Sequence, residues 1–67
     1  MHKVNGYAII AHKAYSDGFV IIGSTYHPSG DYEYVVATMN DIDDSYWFSG
    51  YYTSNIVSAI NRYYEYA

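Results

Sequence analysis

The sequence predicts an α+β fold: a small antiparallel β-meander of three to four strands with one C-terminal amphipathic helix packed on one face. Three observations carry this prediction. Short runs of β-branched and aromatic residues recur as far as Tyr52. Clusters containing Gly, Pro, Asn or Asp separate them. Beyond Thr53 the apolar residues fall at helical spacing. A chain of 67 residues allows one domain, 1–67. A domain of that size buries only about 60% of the surface its unfolded chain exposes. The chain has no cysteine, so neither disulfides nor Cys-ligated zinc can supplement its core. Good packing, self-association or a bound partner must do so.

The first strand is expected over residues 4–12, "VNGYAIIAH", and the second over 19–26, "FVIIGSTY". Asp17-Gly18 lies between them and is a strong hairpin signal. Gly23, inside the second run, suggests a bulge or a close approach of backbone. "HPSGD", 27–31, reads as a turn, because Pro28 presets φ and Gly30 tolerates the left-handed region. In the third strand, 32–39, Tyr32, Tyr34, Val36 and Thr38 share one face, and Glu33, Val35, Ala37 and Met39 share the other. Neither face is cleanly polar, as expected of a central strand. "YWFSGYY", 46–52, forms a fourth extended segment after the turn "NDIDDS". Ile56, Val57, Ala59, Ile60, Tyr63 and Tyr64 then make the stripe of an amphipathic helix over about 54–65. Thr53 or Ser54 is its expected N-cap. One helix covers one sheet face, which leaves the other face, with some of the tyrosines, open to a partner.

Composition limits the function. The formal charge is −4, with only Lys3, Lys13 and Arg62 as fixed cations. Affinity for nucleic acid rests on Lys and Arg, so direct nucleic-acid binding is not expected. No segment reaches the roughly 18–20 apolar residues that span a bilayer, and no membrane partner is expected. The N-terminus has a basic start and a short apolar run. It lacks an Ala-x-Ala-like cleavage site and Lys13 interrupts it, so it reads as a strand and not as a signal peptide. The expected location is the cytoplasm of a host cell.

Asp41, Asp43 and Asp44 supply hard oxygen ligands suited to Ca²⁺ or Mg²⁺. An EF-hand loop starting at Asp41 would need Gly and Glu where Tyr46 and Tyr52 stand, so the acids read as a solvated turn. His2, His12 and His27 are scattered and match no metal-binding spacing. His12 with Ser16 and Asp17 has the composition of a catalytic group but falls in a tight turn. No glycine-rich phosphate loop is present. The expectation is therefore a protein that is not an enzyme, with no catalytic residue, metal or cofactor.

The aromatics give the strongest signal. There are 11 tyrosines, and tyrosine supplies large amphipathic contact area at low entropic cost. Beside the loop acids, Trp47, Tyr51 and Tyr52 complete an acidic and aromatic surface. Asp41, Asp43, Asp44, Trp47, Tyr51 and Tyr52 are thus the expected partner-binding residues, suited to a basic groove in which carboxylates stand in for phosphates.

The small size, the acidity, the lack of cysteine and the ending "YWFSGYYTSNIVSAINRYY" resemble small proteins that phages and mobile elements direct against host machinery. Anti-CRISPR proteins and other nucleic-acid mimics belong to this class. The class shares no fold, and no functional residue is transferred from it. The strongest DNA mimics are more acidic than −4, which favours obstruction of a protein surface over phosphate mimicry. The resemblance implies an inhibitor of a host protein or complex that processes nucleic acid or serves in defence. The alternative is a structural or regulatory homo-oligomer, such as a homodimer, that pairs through its tyrosine-rich sheet face.

Overall fold

The computed structural model describes residues 3–66. They form five antiparallel strands, β1 (Lys3–Val4), β2 (Tyr7–Tyr15), β3 (Gly18–Tyr26), β4 (Tyr32–Met39) and β5 (Phe48–Thr53), followed by helix α1 (Ile56–Tyr64). The strands neighbour one another in chain order, so the sheet is a meander and the fold is α+β. Among the described residues, no helix is long and apolar enough to cross a membrane.

The strand count exceeds the sequence expectation because residues 4–12 are not one strand. Asn5 and Gly6 both take positive φ, 54° and 84°, and reverse the chain between Val4 and its partner Tyr7. Positive φ at both central residues marks the tight hairpin turn for which Asn-Gly is the preferred pair. The second hairpin closes through Ser16 and Asp17, with Tyr15 opposite Gly18. The third is closed by bonds from His27 N to Asp31 O (2.8 Å) and from Gly30 N to His27 O (2.9 Å).

Two irregularities shape the ladder. Ile9 pairs with Gly23 and Ala11 with Ile22, so Ile10 is the extra residue of a bulge. In the last pairing, Val36 faces Tyr51 and Thr38 faces Phe48. The added residue there belongs to β5, where Ser49 takes a φ of 55°. Bulges increase local twist and bend a strand.

Strand alternation sends residues to two separate cores. On the helix side Val20, Ile22 and Val36 pack with Ala59 and Tyr63 of α1. On the other side Val4, Ile21, Val35, Ala37 and Met39 are buried together, and Tyr7, Ile9, Ile42 and Trp47 pack against them. This second core overturns the expectation that the face away from the helix is open. The sheet curls around that face. On a flat sheet, β2 and β5 would stand roughly 14 Å apart, three strand spacings. Yet the ring centroids of Tyr7 and Tyr52, at the ends of that span, lie 6.2 Å apart.

The helix is shorter than expected, and its cap is neither Thr53 nor Ser54. Asn55 Oδ1 accepts bonds from Val57 N (2.9 Å) and Ser58 N (3.2 Å), satisfying two of the orphan donors of the first turn. The Thr53 hydroxyl instead accepts from Asn55 N (3.1 Å), holding the cap itself. The predicted stripe splits in the same way. Only Ala59 and Tyr63 are buried, while Ile56, Val57, Ile60 and Tyr64 stay exposed. Ala59 and Tyr63 are one turn apart and take the line facing the sheet, and a rotation of 100° per residue turns Val57 and Tyr64 away from it.

Gly23 makes the curl possible. A Cβ there would stand 2.9 Å from Val35 Cγ1 and 3.0 Å from Tyr7 Cβ. Gly23→Ala should therefore lower stability by about 1–3 kcal/mol in urea denaturation, the usual cost of overpacking. An unchanged midpoint would show that Tyr7 does not lie against this strand.

Candidate aromatic and acidic binding site

The side chains that gather on the curled face come from distant parts of the chain. Ile9, Gly23, Val35 and Tyr52 form one row across β2 to β5. Tyr7 enters from the start of β2 over Gly23, and Trp47 enters from the segment just before β5. The rings of Tyr7 and Trp47 meet edge to face, with centroids 5.5 Å apart and planes at 70°. Tyr52 stands beside them, tilted 58° from Tyr7. A second glycine places it: a Cβ on Gly50 would lie only 2.8–3.0 Å from the ring and hydroxyl of Tyr52. Tyr52 can fold back over β5 because Gly50 has no side chain. Tyr52 is 52% exposed, while Tyr7 and Trp47 are half-buried, so the corner opens to solvent.

Polar groups border these rings. Trp47 Nε1 donates to the Tyr52 hydroxyl at 3.3 Å. Glu33 lies near enough to Tyr7 to raise its pKa, and Glu33 Oε1 lies 2.7 Å from His27 Nε2. The Tyr7 pKa is pushed up to about 12, first by burial and then by Glu33, with a further push from Tyr52. At neutral pH Tyr7 is thus a hydrogen-bond donor and not a base. Burial also raises Tyr63, on the other face, with a further push from Tyr64.

The acidic loop joins the same side. Ile42 packs into the core cluster that takes Trp47, which pins residues 41–44 over the curled face. Within the loop Asp41 Oδ1 accepts from Asp43 N (3.1 Å), Asp44 Oδ2 accepts from Asp41 N (3.1 Å), and Asp44 N donates to Asp41 O (3.0 Å). Asp41 and Asp44 therefore use carboxylate oxygens to hold the turn, as local Asx bonding does elsewhere. Asp43 is exposed. Among the described residues, no three His, Cys, Asp or Glu side chains come together in a group that would hold a metal ion.

Of the six residues expected from sequence, Trp47 and Tyr52 share this side, as does Ile42 of the loop that carries Asp41, Asp43 and Asp44. Tyr51 does not. It pairs with Val36 on the helix face and lies under the Arg62 guanidinium, 4.8 Å from its ring centroid. The period-two alternation that separates Tyr51 from Tyr52 is the reason. Sequence reasoning missed Tyr7, Glu33 and His27. The close approach signalled by Gly23 was the available clue to Tyr7. A hollow of about 230 Å³ between Arg62, Glu65 and Tyr66 lies on the helix side and is smaller than typical ligand pockets. His12 is exposed on β2, while Ser16 and Asp17 form the adjoining turn.

Compared with known proteins, the chain matches no family model, no curated protein and no solved structure.

The environment of Tyr7 has a measurable consequence. The folded protein keeps the Tyr7 proton up to about pH 12, whereas an unfolded chain releases it near 10.0. The stability contributed by neutral Tyr7 is therefore complete below pH 10.0 and is lost as pH rises through about 12. In a spectrophotometric titration, the step that Tyr7→Phe removes should be centred near 12, and Glu33→Gln should move it down toward 10.0. A removed step centred at 10.0 in the parent protein would contradict the described burial and Glu33 contact.

Proposed function

We propose that this protein is a non-enzymatic binding protein that occupies a basic surface of a protein partner. On this reading it is an inhibitor, carried by a phage or mobile element, that obstructs a host protein acting on nucleic acid or in defence. One observation carries the choice of surface. Ile42 and Trp47 pack on a single core cluster and Trp47 Nε1 donates to the hydroxyl of the exposed Tyr52, so the acidic loop and that ring are both tied to this core without any partner present. A surface organised before binding loses less entropy when it binds. Aromatic anchors with a rim of charge are the common anatomy of protein interfaces, and rim acids speed encounter with a basic partner.

A second reading has its own support. Ile56, Val57, Ile60 and Tyr64 leave an apolar stripe exposed on α1, which suits self-association through the helix. The sheet face proper offers less for such pairing, because its curled side already has a core.

Capture of a partner from host lysate, followed by binding measurements on the purified pair, separates the two. Tyr52→Ala should weaken binding by about 2 kcal/mol, the scale of an interface anchor, with little change in thermal stability. Asp43→Asn should slow association at low salt and leave dissociation nearly unchanged. Full affinity in both variants, with binding abolished by Tyr64→Ala, would transfer the interface to the helix.

A further inference from the structure

We propose that the corner formed by Tyr7, Trp47 and Tyr52 is a receptor for a lysine ammonium group presented by the protein partner. This inference rests on the reading of the curled face as a protein-binding surface and names the chemical group that anchors there.

The molecule carries its own template for such a site. On the helix side, the rings of Tyr63 and Tyr64 meet at 5.6 Å with planes at 72°. Lys13 Nζ sits against both, 4.8 Å from the Tyr63 centroid and 5.1 Å from that of Tyr64. The Tyr7–Trp47 pair repeats this geometry at 5.5 Å and 70°. It adds a third ring, Tyr52, and replaces one tyrosine by tryptophan, whose ring face attracts cations most strongly. Among the described residues, Lys13 and Arg62 contact rings on the helix side, and no cation–π contact falls on Tyr7, Trp47 or Tyr52.

Two further features suit a cation. The Tyr52 hydroxyl accepts from Trp47 Nε1 at 3.3 Å, so that ring is held by its rim. Glu33 also brings a carboxylate to the edge of the corner. The shape of the corner selects the type of cation. A guanidinium is planar and lies flat on one ring, as Arg62 does over Tyr51. An ammonium is a compact charge that fits an inside corner, as Lys13 does.

Trp47 is the sole tryptophan of the chain, so its fluorescence reports on this corner directly. The purified protein would be titrated at constant ionic strength with Nα-acetyl-lysine methylamide, its Nε-trimethyl form, and the uncharged norleucine analogue. Both ammonium probes should change the emission saturably, the trimethyl form at lower concentration because it is less strongly hydrated, and the norleucine analogue should not. Tyr52→Leu should weaken the trimethyl probe by about fivefold or more. Glu33→Gln should weaken it as well, while Glu65→Gln, which removes a charge at the helix C-cap, should leave it unchanged. An equal response to norleucine, no response to either ammonium, or equal losses in Glu65→Gln and Tyr52→Leu would each overturn the assignment. The probes need no protein partner. Charge-selective binding without any captured partner would refute the interface reading alone. A partner that requires Tyr52 in a protein blind to ammonium would refute the lysine receptor alone.

Discussion

The edge-to-face contact between Tyr7 and Trp47 ties the first long strand of the sheet to the segment that leads into the last. The chain has 67 residues and no cysteine, and its described residues offer one helix and one sheet from which to build a core. The helix covers one face. The other face must be covered by the sheet itself, and that requires residues from opposite ends of the meander to meet. Aromatic side chains are long enough to bridge the remaining gap, and Gly23 lets Tyr7 lie directly against Val35 and the central strands. Val4, 2% exposed, then closes the core from the short first hairpin.

The same closure creates the surface on which binding is proposed. Trp47 is partly core and partly rim, and Ile42 fixes the acidic loop through the same cluster. Two glycines that admit Tyr7 and Tyr52 thus set both the packing of a small domain and the shape of its aromatic corner. Folding and the proposed recognition are coupled through Trp47 and Tyr7, whereas Tyr52, half exposed on an edge strand, can be changed with less effect on the core. On the helix side the molecule satisfies its rings internally, with Lys13 and Arg62 over Tyr63, Tyr64 and Tyr51.

Much of the fold was legible in the sequence because its signals are local. The turn at 27–31, the two faces of β4 and the change to helical spacing after Thr53 appear where expected, and the hairpin signalled by Asp17-Gly18 turns one residue earlier, at Ser16 and Asp17. The first hairpin departs from the expected single strand although Asn5-Gly6 is a strong local signal. The β-branched run around it resembled one strand. The helix N-cap was misplaced because Thr53, Ser54 and Asn55 are all good caps and only tertiary position chooses among them. The curl was not legible. It depends on contacts between residues about 40 positions apart, such as Tyr7 with Trp47, and pattern reasoning has no access to these. For the same reason the sequence indicated Trp47, Tyr52 and the loop acids but not Tyr7 or Glu33. Alternation alone separates Tyr51 from Tyr52.

A double-mutant cycle between Tyr7 and Trp47 tests the closure most directly. Tyr7→Leu, Trp47→Leu and the double variant would be compared with the parent by urea denaturation. Contact between the rings predicts a coupling energy of about 0.5–1.5 kcal/mol, the range for an aromatic pair beyond its burial. Additive losses, with no coupling, would mean that the two ends of the sheet do not meet and that the aromatic corner is not formed in solution.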